Sequence, residues 1–261
     1  MQDLKITLVQ AEQIWENKQR NLENFEQLLK SVQHTDLILF PEMFHTGFTM
    51  NSEEFAEEMH SSLGIKWLKN IAQIKNTACY TSLIIKENNC FYNRGVFVDE
   101  TGTITTYDKR KLFGLAGENS YFTAGHSESI VEYKGWKINL QICYDLRFPE
   151  NCRNFEINNQ AQYDLLLYVA NWPEKRIGHW KTLLPARAIE NQCYVAAVNR
   201  IGSDDNGHNY TGESVIHNMN GEVISNHSTN QSIIEASLRV DDLVASRKSL
   251  PFLKDYTDNK G

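Results

Sequence analysis

The chain has no hydrophobic run approaching the about eighteen residues that a membrane-spanning helix requires, so a transmembrane protein is not expected. It has no Lys/Arg cluster to offset its net charge of −7, which argues against a phosphate-binding surface and hence against a nucleic-acid partner. No GxGxxG or Walker loop appears, and neither do H-E-x-x-H, C-x-x-C or any other metal-ligand spacing; no cofactor and no metal are expected. A G-x-S-x-G elbow is also missing: "TGESV" (211–215) lacks the second glycine. The characteristic sequence around a papain-like thiol is absent. The five cysteines are odd in number and lack the spacing of a disulfide framework. The N-terminus enters the apolar run "LKITLVQ" without a basic n-region or cleavage site, so we expect a reduced, cytoplasmic protein.

What is present is an ordinary globular composition, 41% hydrophobic and 23% charged, in 261 residues, enough for one large α/β domain with a sizeable core. There is no Pro/Ser linker, low-complexity tract or repeat, so one domain over residues 1–261 is the expectation. Strand-like runs alternate with amphipathic ones. The strand 4–10 is followed by a helix over 18–33, with Leu22, Phe25, Leu28, Leu29 and Val32 at helical spacing. A strand over 36–40 stops at Pro41, a helix spans 52–75, and "CYTSLIIKE" is a strand. A hairpin turns around Glu100–Gly102, and "ESIVEYKG" pairs with the strand that follows it. Further strands are read at 163–173 and in "CYVAAVNRIG", with a helix over 179–191 between them. Asn220-Gly221 favours a type I′ hairpin turn. This alternation, broken by hairpins, predicts mixed sheets covered by helices.

Polar residues recur at the strand ends, where α/β architectures build their sites. "INLQICYDLRFPE" (138–150) is an apolar strand that ends in a cysteine, an aspartate and an arginine. Cys143 reads either as core filling or as an exposed thiol beside the Tyr144 N–H, an arrangement suited to an oxyanion. Glu42, directly after "LILFP", reads either as a solvated turn acid or as a carboxylate whose burial makes it a base. "YDKRKLF" (107–113) reads either as a basic edge strand or as the source of one lysine turned inward toward a reacting oxygen. On a strand, Lys109 and Lys111 would project to the same face. With the other mechanisms absent, a glutamate, a lysine and a cysteine at strand ends form a coherent set.

At these residues the sequence resembles the nitrilase, or carbon–nitrogen hydrolase, superfamily. "LILFPEMFHTGF" resembles its glutamate motif, "YDKRKLF" its lysine motif and "CYDLRFPE" its cysteine motif, in the family's order. "LAGENSYFTAG" resembles the loop with a second glutamate, here Glu118, and the match continues through "NWP…HW…ARAIENQCYV" and "GESV…NGEVI" to the closing "PFLKDY". The resemblance implies a four-layer αββα sandwich that pairs into homodimers. It further implies Glu42 as general base, Lys109 as stabiliser of the tetrahedral intermediate, Cys143 as nucleophile, and Glu118 as an aid to substrate positioning or proton transfer. Two positions depart from the pattern: Lys111 stands where a histidine is usual and Met219 where a proline is usual.

"CYD" is closer to amidase branches than to the "CWE" of true nitrilases, and the carbamoylases' tryptophan and glutamine are replaced by Tyr144 and Leu146. The run 171–207 most resembles the omega-amidases, which hydrolyse 2-oxoglutaramate and related 2-oxo acid amides. This implies a small-molecule amide substrate with a distal carboxylate. Arg176 is a candidate to bind that carboxylate through its bidentate fork, or is a surface arginine. Phe44, Phe48, Tyr144 and Trp172 are candidates for pocket walls, or are core aromatics. Another amidase or a carbamoylase of this fold, and a non-enzymatic binding protein on it, remain the alternatives.

Overall fold

The apolar run Leu4–Gln10 forms β1, whose Leu4, Ile6 and Leu8 enter one core while Val9 enters another on the opposite face. That division runs through the computed structural model, which describes residues 1–255. The expected closing segment "PFLKDY" ends at Tyr256, and the domain expectation at residue 261, both outside the described residues.

Strand β1 lies beside β2 (Leu37–Leu39), β3 (Ala78–Glu87), β4 (Cys90–Val98) and β5 (Ile104–Asp108), with β15 (Ser232–Leu238) on its other side, in a six-stranded sheet. The second sheet has the order β14 (Val215–His217), β11 (Tyr194–Asn199), β10 (Leu165–Ala170), β7 (Trp136–Ile142), β6 (Ile130–Tyr133). Two short ribbons complete the strands: β8 (Glu156–Ile157) with β9 (Gln160–Ala161), and β12 (Ile201–Ser203) with β13 (Asn209–Thr211). The inner faces meet in one core that joins Leu37, Leu39 and Tyr80 of the first sheet to Ile138, Leu140 and Leu167 of the second.

Helix α1 (Lys18–Leu29) and α3 (Leu63–Lys75) cover the outer face of the first sheet; α5 (Ile177–Asn191) and α6 (Val240–Ser249) cover the second. The architecture is therefore the expected αββα sandwich. Asn17 and Ser62 cap α1 and α3 by accepting the Arg20 and Ile65 N–H groups. Trp180, Leu184 and Ala188 form the buried face of α5 that packs against the second sheet.

The predicted helix over 52–75 is broken into α2 (Ser52–Phe55) and α3. Between them Glu57 runs alongside β3, its backbone bonded to Ile84 and Lys86, and its carboxylate accepts from Lys18, His45 and Ser62. The type I′ turn is also corrected. Gly221 has φ +77°, but Asn220 does not share a positive φ, and the Gly221 N–H bonds to the Asn218 carbonyl.

Strands β2 and β3 are parallel, and β5 is two antiparallel steps from β3, so the C-terminal ends of all three lie along one edge. The parallel strands β7, β10 and β11 end together in the other sheet. Stacking the sheets brings these ends together.

Candidate active site

Lys109 follows the last residue of β5, its backbone N–H bonded to the Asn93 carbonyl at 3.0 Å. Its ammonium is 1% exposed and contacts Glu42 Oε1 at 2.8 Å and both Glu118 oxygens at 2.9 Å. Burial alone would lower the Lys109 pKa, but the Glu118 and Glu42 carboxylates outweigh it and hold the ammonium above its usual range. Glu42 comes from the loop after β2 and Glu118 opens α4 (Glu118–Tyr121); both are fully buried. Glu42 Oε2 accepts the Asn171 N–H at 3.0 Å, and Gln13 Nε2 holds the Glu42 backbone carbonyl at 3.0 Å.

Cys143 follows β7 directly at φ 44°, a left-handed backbone that a β-carbon disfavours. What maintains it is Asp145, two residues on. The fully buried Asp145 carboxylate accepts from the Ile142 N–H (3.0 Å), the Lys111 N–H (2.9 Å), the Tyr107 hydroxyl (2.9 Å) and Asn151 Nδ2 (3.0 Å). Burial pushes this carboxyl up to about 6 despite those donors. Asp145 thus ties the cysteine turn to the chain just after Lys109. The thiol lies 3.9 Å from the Asn171 carbonyl oxygen. Burial, then the Glu42 charge, push its pKa well above that of a free cysteine, with Lys109 opposing.

Cys143 and Lys109 border a cavity of about 280 Å³, with Phe48, Tyr144, Trp172 and Arg176 among its walls. The Lys109 ammonium lies 5.0 Å from the centre of the Phe48 ring. Tyr144 packs on Phe113 at 4.9 Å, and the Arg176 guanidinium covers the other partner of that pair, 5.0 Å from the Phe113 ring. Phe44 is a correction. It is fully buried in the outer core, 5.6 Å from both Phe25 and Trp67, because the loop after β2 turns it toward α1 and α3 while Glu42 faces inward. The shared face expected for Lys109 and Lys111 is corrected too. Strand β5 ends at Asp108, so Lys111 turns outward, where its ammonium meets Glu150 at 3.3 Å and the Phe148 ring at 4.7 Å.

The model of the family described as "Carbon-nitrogen hydrolase" matches residues 5–248. The chain belongs to the carbon–nitrogen hydrolase family. "Omega-amidase YafV" of Yersinia enterocolitica is 44% identical to it, covering 98% of this chain and 97% of that protein. The 2-oxoglutaramate amidase of Bacillus subtilis (strain 168) is 34% identical over 87% of this chain and 86% of its own. The solved structure of XC1258 from Xanthomonas campestris, described as a CN-hydrolase superfamily protein with an arsenic adduct in its active site, superposes with a TM-score of 0.96. It is 36% identical and covers 99% of this chain and 98% of that one.

The protein is accordingly an amidase of the nitrilase superfamily, a hydrolase of carbon–nitrogen bonds in linear amides. No helix among its described residues is long and apolar enough to cross a membrane. Several residues of the amidase cavity escaped sequence reasoning. Arg147 stands four residues after Cys143, its guanidinium 4.6 Å from the Trp172 ring and 3.0 Å from His179 Nδ1. Burial lowers its pKa, and the nearby Arg176 charge adds to the effect. Neither arginine has a carboxylate partner among the described residues. Asp204 and Tyr210, from the β12–β13 ribbon, also line the cavity, the tyrosine hydroxyl donating to Asp204 at 2.8 Å. The signal for Arg147 was its place in the cysteine motif. For the ribbon there was none, because it reaches the site only through the fold.

Proposed function

We propose that this amidase hydrolyses the terminal amide of small 2-oxo dicarboxylic acid monoamides, such as 2-oxoglutaramate and 2-oxosuccinamate, through a thioester on Cys143. The observation behind this reading is the pair Arg147 and Arg176, bordering the same small cavity as Cys143 and lacking acidic partners among the described residues. Two partly buried guanidiniums without a counter-ion are suited to a carboxylate supplied by the substrate. The names of the omega-amidase and 2-oxoglutaramate amidase relatives support the same substrate class.

In the proposed reaction Glu42 takes the Cys143 thiol proton and the thiolate attacks the amide carbon. The Lys109 ammonium and the Tyr144 N–H, one of the turn's first amides and so without a partner inside it, stabilise the oxyanion. The intermediate collapses as Glu42 returns its proton to the nitrogen, and ammonia leaves. Water then attacks the thioester while Glu42 accepts its proton, and the second collapse releases the acid and restores the thiol. Glu118, bonded to Lys109, fixes the ammonium throughout.

The test is mass spectrometry of protein quenched during turnover. Acyl–Cys143 should accumulate with 2-oxo acid amides and not with ureido acids or neutral amides. A panel that favours ureido acids would turn the reading toward a carbamoylase. We further propose a homodimer. Support comes from Ile189 on α5 and from Val223 and Ile224, which are all exposed, with Gly221 packed against Ile189 between them. The five free thiols support a reducing, cytoplasmic setting.

A further inference from the structure

Asn93 sits on β4, fully buried, where a strand position would ordinarily carry an apolar side chain. Its Nδ2 donates to Glu42 Oε1 at 2.8 Å and to Glu118 Oε1 at 3.1 Å. Its backbone carbonyl accepts the Lys109 N–H at 3.0 Å. One uncharged residue therefore contacts all three charged members of the site. Its own Oδ1 is buried without a hydrogen-bond partner among the described residues. Leaving a carbonyl unsatisfied is unfavourable, but turning the amide over would aim that oxygen at two carboxylates. The orientation with the donor on the carboxylates is the one electrostatics selects.

We infer that Asn93 is a positioning residue of this amidase, fixing the Glu42 carboxylate by hydrogen bond as the base for Cys143. The inference rests on the Glu42–Cys143 chemistry proposed above and adds a residue that chemistry does not use. Glu42, Glu118 and Lys109 are each 0–1% exposed, and two carboxylates facing one ammonium leave an excess negative charge there. Like charges sharing a buried site favour retention of a proton by one of them. A proton on Glu42 would remove the base. The Asn93 amide stabilises both ionised carboxylates by donating to each, and it adds neither charge nor an exchangeable acid. An aspartate at this position would have the same shape and would add a third negative charge.

The readout is the pH dependence of Cys143 alkylation by iodoacetamide, located by mass spectrometry, together with kcat and KM on one amide. Asn93→Ala and Asn93→Asp should move the acid limb of alkylation upward by about one pH unit or more. They should lower kcat about tenfold or more and leave KM within about threefold. The double variant Asn93→Ala/Glu118→Gln should bring the limb back toward wild type, because the competing charge is gone. Unmoved limbs in folded Asn93 variants overturn the inference. Should those variants fail to fold, Glu118→Gln alone must move the limb downward, and an unmoved limb there overturns it equally. Glu42→Gln separates the two levels. A limb that survives in this variant shows that the base itself is misassigned. A limb that vanishes in Glu42→Gln but stays fixed in the Asn93 variants sinks the Asn93 role alone.

Discussion

Replacing Arg147 by Gln removes a charge and keeps a side chain able to cover part of Trp172, over which the guanidinium now lies at 4.6 Å. Hydrogen bonds to a charged partner contribute about 1.5–3 kcal/mol, and each 1.4 kcal/mol is about a factor of ten. Loss of one arginine–carboxylate contact should therefore raise KM for 2-oxoglutaramate by about 10- to 150-fold. A neutral amide of equal length has no carboxylate to lose, so its KM should change by less than about threefold. Folding stability should change little, because burial and the Arg176 charge already disfavour the Arg147 cation. Arg176→Gln should behave in the same way. If both guanidiniums hold one carboxylate, the double variant should lose less than the sum of the singles, since the second removal acts on a contact already weakened. Steady-state ammonia release on both substrates decides this. Equal losses on the acid and the neutral amide would refute the assignment, and strict additivity would refute the shared carboxylate.

Lys109→Ala should lower kcat by at least about two to three orders of magnitude, as expected for a principal oxyanion donor. Lys111→His should stay within about tenfold of wild type, because Lys111 faces outward onto Glu150; kinetics on one amide would expose the reverse ranking. Asp145 gives a pH signature. Its folded pKa, pushed up to about 6, lies above that of an unfolded aspartate, so its contribution to stability is present in acid and is lost as pH rises through about 6. The Tm difference between wild type and Asp145→Asn should accordingly shift in favour of wild type as pH falls from about 7 to about 4, and a constant difference would contradict it. The proposed homodimer predicts that Ile189→Glu yields monomers in sedimentation, whereas a wild type already monomeric at micromolar concentration would remove the premise.

The strand-end residues were legible because each signal is local. An apolar run that stops at Glu42 or at Cys143 announces both the strand and its polar terminus, and Lys109 directly follows the β-rich run Ile104–Asp108. Readings failed where a contact or a direction depends on the second sheet or on a single backbone angle. Asn93 meets Glu42 across 51 positions through the strand order of the first sheet, and the Asn171 N–H meets it across 129 through the stacking of the two sheets, so neither bond shows in the local sequence. Phe44 is two residues from Glu42, yet the loop turns it to the opposite side of the sheet. Lys109 and Lys111 would share a face only if β5 continued, and it stops at Asp108. The long helix over 52–75 failed because Glu57 prefers β3 and three side-chain donors to an intrahelical place.

The distribution of charge around the cavity bears on the proposed substrate. Two carboxylates share the Lys109 ammonium near Cys143; on the cavity wall stand two guanidiniums with no carboxylate partner among the described residues, and Asp204 is bonded to Tyr210. On the proposed substrate reading, a monoamide would enter with its carboxylate toward the arginines and its neutral amide toward the thiol, since the reverse orientation would set carboxylate against carboxylate. On that reading, hydrolysis would create a second carboxylate beside Glu42. The dicarboxylate product would then be repelled from the place where the amide was held. Product inhibition should be weak, with an inhibition constant for the dicarboxylate at least about tenfold above KM for its monoamide, a difference of about 1.4 kcal/mol. Glu118→Gln removes one of the repelling charges and should tighten product binding while slowing turnover. Product that binds wild type as tightly as the amide would show that the two ends of the cavity do not differ in charge as the arrangement requires.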